Sequence, residues 1–115
     1  MQSVASERVV LLGTVTAGTS VPVVVQGRDE VTIYFTSTGT TSGGTLLIEE
    51  ADYNPNQEPV YGGTWSQIAS VAASGFTGGA QQAYHISPTS YTAVRVRISS
   101  TISGGGTVKV TARIA

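Results

Sequence analysis

Ala93-Val94-Arg95-Val96-Arg97-Ile98-Ser99 and, beyond Ser103-Gly104-Gly105-Gly106, Thr107-Val108-Lys109-Val110-Thr111-Ala112-Arg113-Ile114 decide the fold of this chain. Both runs alternate strictly between apolar and polar residues. A period of two is the signature of a strand with one face buried. Val94, Val96 and Ile98 share one face, with Arg95 and Arg97 on the other. In the second run Val108, Val110, Ala112 and Ile114 oppose Lys109, Thr111 and Arg113. The glycine run between them reads as a tight turn, because glycine enters positive-φ conformations without steric cost. The expectation is a hairpin with one buried face and one wet, cationic face.

Elsewhere in the chain no segment keeps a helical period. Strand-like runs recur near 8–15, 20–26, 30–38, 45–51, 65–72, 81–87, 93–102 and 106–114, with turn residues between them. Val31, Ile33 and Phe35 alternate with Thr32, Tyr34 and Thr36. Val21, Val23 and Val25 form another face, and Pro22 among them cannot donate to a ladder, which puts this strand at an edge. Thr38 to Gly44 reads as a hairpin loop and Gly75 to Ala80 as a glycine-rich connection. About eight strands with this spacing predict an all-β chain, a single antiparallel β-sandwich of jelly-roll type. Residues 1–7 read as a flexible N-terminal arm and 8–115 as the sandwich domain.

Composition narrows the function classes. The 115 residues suit one domain, and there is no cysteine, so disulfides and thiolate metal sites are excluded. Charged residues are 11% and the net charge is −1, which argues against nucleic-acid binding through clustered cations. No apolar stretch is long enough for a membrane helix. The first eight residues lack a cationic start followed by an apolar stretch, so no secretory signal is expected.

Chemistry-bearing constellations are sparse. His85 is the sole histidine, and no nucleophile-elbow sequence accompanies it. Asp52 to Glu58 places oxygen ligands at alternate positions, as calcium loops do. Gln57 and Gly63, however, stand where such a loop needs a glycine and a bidentate carboxylate. Neither glycine run has the Gly-Lys-Ser/Thr ending of a phosphate loop. No catalytic residue, cofactor or metal is expected, and an enzyme is the least expected class.

Two features point to contacts instead. Glu49, Glu50, Asp52 and Glu58 gather four of the seven acids, and Arg95, Arg97, Lys109 and Arg113 four of the six cations. The two groups either pair within one chain or set the orientation of a partner. The irregular stretch 52–63 holds Asp52, Tyr53, Asn54 and Tyr61, and Trp65 follows it. Exposed aromatics there would stack on sugars or anchor an interface, whereas a core position is the plainer expectation for Trp65.

The runs 63–68, 78–86, 91–99 and 104–110 together resemble small virion proteins of tailed bacteriophages, over roughly residues 30–114. The likeness lies in general character, since the chain is Ser/Thr/Gly-rich, cysteine-free, low in charge and all-β. It implies a capsid decoration (cement) protein, a head fibre or a small tail component. The expectation is a decoration protein of the virion that binds the major capsid protein or another virion protein. It would form a homo-oligomer, a trimer before other states, with no nucleic-acid or membrane partner. The expected interface is Val21, Val23, Val25, Arg95, Arg97, Lys109 and Arg113, with the arm adding to it and the edge strand open to strand addition. The alternatives are a carbohydrate-binding module of a head or tail fibre, using Asp52, Tyr53, Asn54, Tyr61 and Trp65, and a tail or head-tail connector component.

Overall fold

The computed structural model describes residues 7–25, 27–51, 65–87 and 93–115. Nine strands and one 3-10 helix occur among them: β1 (Glu7–Val15), β2 (Gly18–Thr19), β3 (Val23–Val24), β4 (Val31–Thr38), β5 (Gly43–Ala51), β6 (Ser66–Ala72), the 3-10 helix (Ala73–Gly79), β7 (Gln81–Ile86), β8 (Ala93–Ser103) and β9 (Thr107–Ile114). They form two antiparallel sheets, one ordered β1-β9-β4-β7 and the other β2-β8-β5-β6, with β3 also paired to β8. With β2 and β3 taken as one interrupted strand, this is the strand order of a jelly roll. The predicted fold class is therefore observed.

The interruption has a local cause. Pro22 has no N–H to give, so the chain leaves the ladder between β2 and β3. Ser20 bridges the gap. Its N–H donates to the Val96 carbonyl at 2.8 Å, and its buried hydroxyl accepts from the Val96 N–H at 2.9 Å. A side-chain oxygen thus replaces the missing main-chain acceptor of the ladder.

The alternating runs build the core. Val94 and Val96 from one sheet face Val108, Val110, Ala112 and Ile114 from the other, all buried with Ile33, Phe35, Leu46 and Ile48. This corrects the hairpin expectation. β8 pairs with β5, β2 and β3, whereas β9 pairs with β1 and β4. The glycine run carries the chain from one sheet to the other, because both strands have an apolar face to bury and stacking the two faces hides both. The same holds for 38–44, which links β4 and β5 across the sandwich rather than joining paired strands. The two arches pack together. Gly106 N–H donates to the Thr40 carbonyl at 2.7 Å, and Ser42 N–H to the Ser103 carbonyl at 2.9 Å.

The expected connection at 75–80 overlaps the 3-10 helix, whose backbone leaves helical angles at Phe76, Thr77 and Gly78 and which ends at Gly79. This helix packs against β4, β5, β6 and β7 and places the buried Phe76 ring 5.7 Å from that of Phe35. Hydroxyls of the 38–44 side hold it. Fully buried Thr41 donates from Oγ1 to the Ala73 carbonyl at 2.9 Å, and Ser37 Oγ donates to the Phe76 carbonyl. Glu7, expected as the last residue of the arm, pairs with Ile114 as the first residue of β1, and residues 1–6 lie outside the described residues.

Candidate functional site

The stacking of β8 on β9 divides the expected cationic face in two. Arg95 and Arg97 point outward from one sheet, and Lys109 and Arg113 outward from the other. Their common feature is only that both strands alternate.

On the first face a compact ionic cluster forms. Glu49 on β5 lies opposite Arg95 of β8, with Arg97 two residues along. Arg95 Nε donates to Glu49 Oε1 at 2.9 Å, and Arg97 donates from Nε and Nη2 to Oε2 at 3.2 and 3.1 Å. Glu49 is buried although it faces away from the core, because two long arginines close over it. Burial alone would raise its carboxyl pKa. Hydrogen bonds from Arg97 and Arg95, together with their charges, outweigh that and hold it below the ordinary carboxylate range. Trp65 completes the cluster, with the Arg95 guanidinium 4.4 Å from its ring centre. Trp65 is half-buried on this surface and is not a core residue. For these residues the acid and base groups meet within one chain. Asp52, Tyr53, Asn54 and Tyr61, the rest of the expected ligand loop, lie outside the described residues, as does Glu58.

The valine face resolves into a gradient. Val25 is fully buried and belongs to the core, so it is no part of a surface. Val23 is half-buried, and Val21 is 74% exposed. Among the described residues the large exposed apolar ones are Val10 (57%), Val21 and Val24 (39%). All three lie on β1 and the β2–β3 segment, which are the terminal strands of their sheets and touch one another along one lateral side of the sandwich. The opposite side is bridged by the 3-10 helix. Neither β1 nor β2–β3 is a regular edge. β1 has register shifts on both sides of Leu12 and a positive φ of 52° at Thr14, and β2–β3 is broken at Pro22. Bulges and prolines of this kind block strand addition, so this side offers side chains rather than an open ladder. Val10 was not legible in the sequence, because it sits in the unbroken apolar run Val9-Val10-Leu11-Leu12 that hides the alternation.

His85 is exposed on β7, with Nδ1 2.9 Å from Thr32 Oγ1 on the neighbouring strand. Among the described residues no three His, Cys, Asp or Glu side chains converge on a common point. No helix among them is long and apolar enough to cross a membrane.

No family model matches the chain, and no curated protein matches it in sequence. Among solved structures it is similar to the SPBc2 prophage-derived protein YomS, with a TM-score of 0.62 and 11% identity over 100% of this chain and 98% of that one. The likeness extends over the whole sandwich and is one of fold.

Proposed function

We propose that this chain is a structural protein of a tailed-phage particle, a decoration protein that binds the outer capsid surface as a homo-oligomer. The observation that carries this reading is the lateral edge. Val10, Val21 and Val24 are exposed on the two terminal strands of one side, and those strands are shaped to resist backbone pairing. Side-chain docking of such an edge suits a rigid module that adds to a lattice without polymerising. The fold shared with a prophage-derived protein adds support for the phage setting. The mechanism is linkage. A module that binds only the assembled shell adds its binding free energy to that state, and a trimer at a local three-fold axis multiplies weak contacts.

Two measurements test this reading. Light scattering should give a trimer whose mass does not change with salt, and Val10→Lys with Val21→Lys should reduce it to a monomer. Particles of the phage that carries this gene should open at lower temperature when the chain is left out. Equal thermal release of DNA with and without it would overturn the decoration role.

A further inference from the structure

The outer face of the β1-β9-β4-β7 sheet differs from the Glu49 face. Its outward positions are Arg8 and Val10 on β1, Lys109, Thr111 and Arg113 on β9, Thr32, Tyr34 and Thr36 on β4, and Gln81, Ala83 and His85 on β7. These positions include cations and no Asp or Glu. Across them runs an open depression of about 280 Å³ lined by Arg8, Tyr34, Thr36, Gln81 and Thr111. The register explains its shape. Tyr34 lies between Thr111 and Ala83, and Thr36 between Lys109 and Gln81. Thr36 and Thr111 contribute short side chains to the lining, and Arg8, Tyr34 and Gln81 contribute long ones. From β1 to β7 the face is four strands across, about 14 Å at the usual inter-strand spacing, and the trough crosses it obliquely, because Arg8 lies in the row of Thr32 and Gln81 in that of Thr36.

We propose that this trough binds an acidic polysaccharide, one carrying carboxylates on its sugar rings. Arg8 supplies a guanidinium whose fork matches a carboxylate. Tyr34 is half-buried and lines the depression, with a ring apolar in its body against which the C–H face of a sugar packs. Thr36, Thr111 and Gln81 donate to and accept from ring hydroxyls, and Lys109 beside Thr36 adds positive potential. Single-stranded nucleic acid fits less well, since it is held by successive aromatic platforms and this face has one tyrosine. A protein partner would want a buried aromatic or aliphatic anchor at its centre, and the centre here is hydroxyl-rich. The proposal rests on this face and not on the capsid role, although Val10 of the proposed subunit edge lies opposite Thr111 beside it.

The test is titration of the full chain, ¹⁵N-labelled, with oligogalacturonate, followed by amide chemical shifts. Dextran oligosaccharides, polyphosphate and oligothymidylate are the comparison probes. The expected result is saturable shifts at residues 8, 34, 36, 81 and 111 with oligogalacturonate, and weaker binding of the other three. Arg8→Gln should weaken oligogalacturonate about tenfold while leaving the urea midpoint unchanged, since Arg8 is exposed. Absence of shifts on this face, or an unchanged affinity in Arg8→Gln, overturns the site. Equal binding of dextran overturns the carboxylate requirement. Equal binding of polyphosphate or oligothymidylate overturns the saccharide.

Discussion

Arg97 closes over Glu49 on the outside of the sandwich, its Nε and Nη2 both donating to Oε2, at 3.2 and 3.1 Å. The side chain of Glu49 is left 6% exposed and that of Arg97 38%. A carboxylate on a sheet's solvent face is ordinarily wet and contributes little. Here the two arginines exclude water from it, so its charge state matters to the fold.

The consequence is acid sensitivity. The Glu49 carboxyl pKa is lowered in the folded chain, so its contribution is present above the unfolded value and is lost as pH falls through the folded one. Thermal stability should therefore decline as pH drops below about 4.3, the ordinary value for Glu. Glu49→Gln should be destabilised by about 1–3 kcal/mol at neutral pH, because Arg95 and Arg97 lose the negative charge and one of the two acceptor oxygens they share. Melting curves from neutral to acid pH check this. The variant should show a smaller loss on acidification than the parent.

Gly106 is a second sensitive point. A Cβ there would lie 2.5 Å from the Thr38 carbonyl oxygen, 2.6 Å from that of Thr40 and 2.8 Å from the Thr40 nitrogen. All three are backbone atoms, so no side-chain rotation relieves the clash. Gly106→Ala should cost about 1–3 kcal/mol. Gly13→Ala, whose Cβ would meet only Val10 Cγ1 at 3.6 Å, should be nearly neutral. Urea midpoints of the two variants give the comparison.

Position 106 also shows where the sequence was legible and where it was not. The alternation at 93–99 and 107–114 placed both strands, their inward residues and the sandwich class, because a period of two fixes which side chains share a face. It did not say which strands pair. A glycine-rich link looks the same whether it turns a hairpin or crosses between sheets, and the close approach of Gly106 to Thr38 and Thr40 depends on that choice. For the same reason Arg95 and Arg97 were separated from Lys109 and Arg113. Glu49 was visible as a charge near two arginines in composition only, since its register opposite Arg95 comes from the β5–β8 pairing. Val25 shared the alternation of Val21 and Val23, and only the burial of its position in the folded chain distinguishes it.

The 3-10 helix makes a local prediction. Thr41 Oγ1 is the donor to the Ala73 carbonyl, and the Thr41 N–H donates to Thr77 Oγ1 at 2.8 Å. Thr41→Val keeps the shape and removes the hydroxyl, leaving a carbonyl without that donor in a buried site. The expected loss is about 1–3 kcal/mol. Amide exchange should speed up over 73–79 more than over β8 or β9, which hydrogen exchange by NMR would resolve residue by residue.

Trp65 is the chain's one tryptophan and borders the ionic cluster, so its fluorescence reports on that surface. The Arg95 guanidinium sits 4.4 Å from the ring centre and is itself tied to Glu49 at 2.9 Å. Arg95→Gln removes both the cation over the ring and the longer side chain that covers it, so emission should move to longer wavelength as water reaches the indole. The stability cost should be about 1–2 kcal/mol, since a cation–π contact at a partly exposed site and one charge-assisted hydrogen bond are lost together. In the parent protein the same red shift should develop on acidification, as Glu49 takes up a proton and releases Arg95. In Glu49→Gln the acid-dependent part of the shift should vanish. A red shift that persists in Glu49→Gln with the same midpoint would show that Trp65 responds to another group.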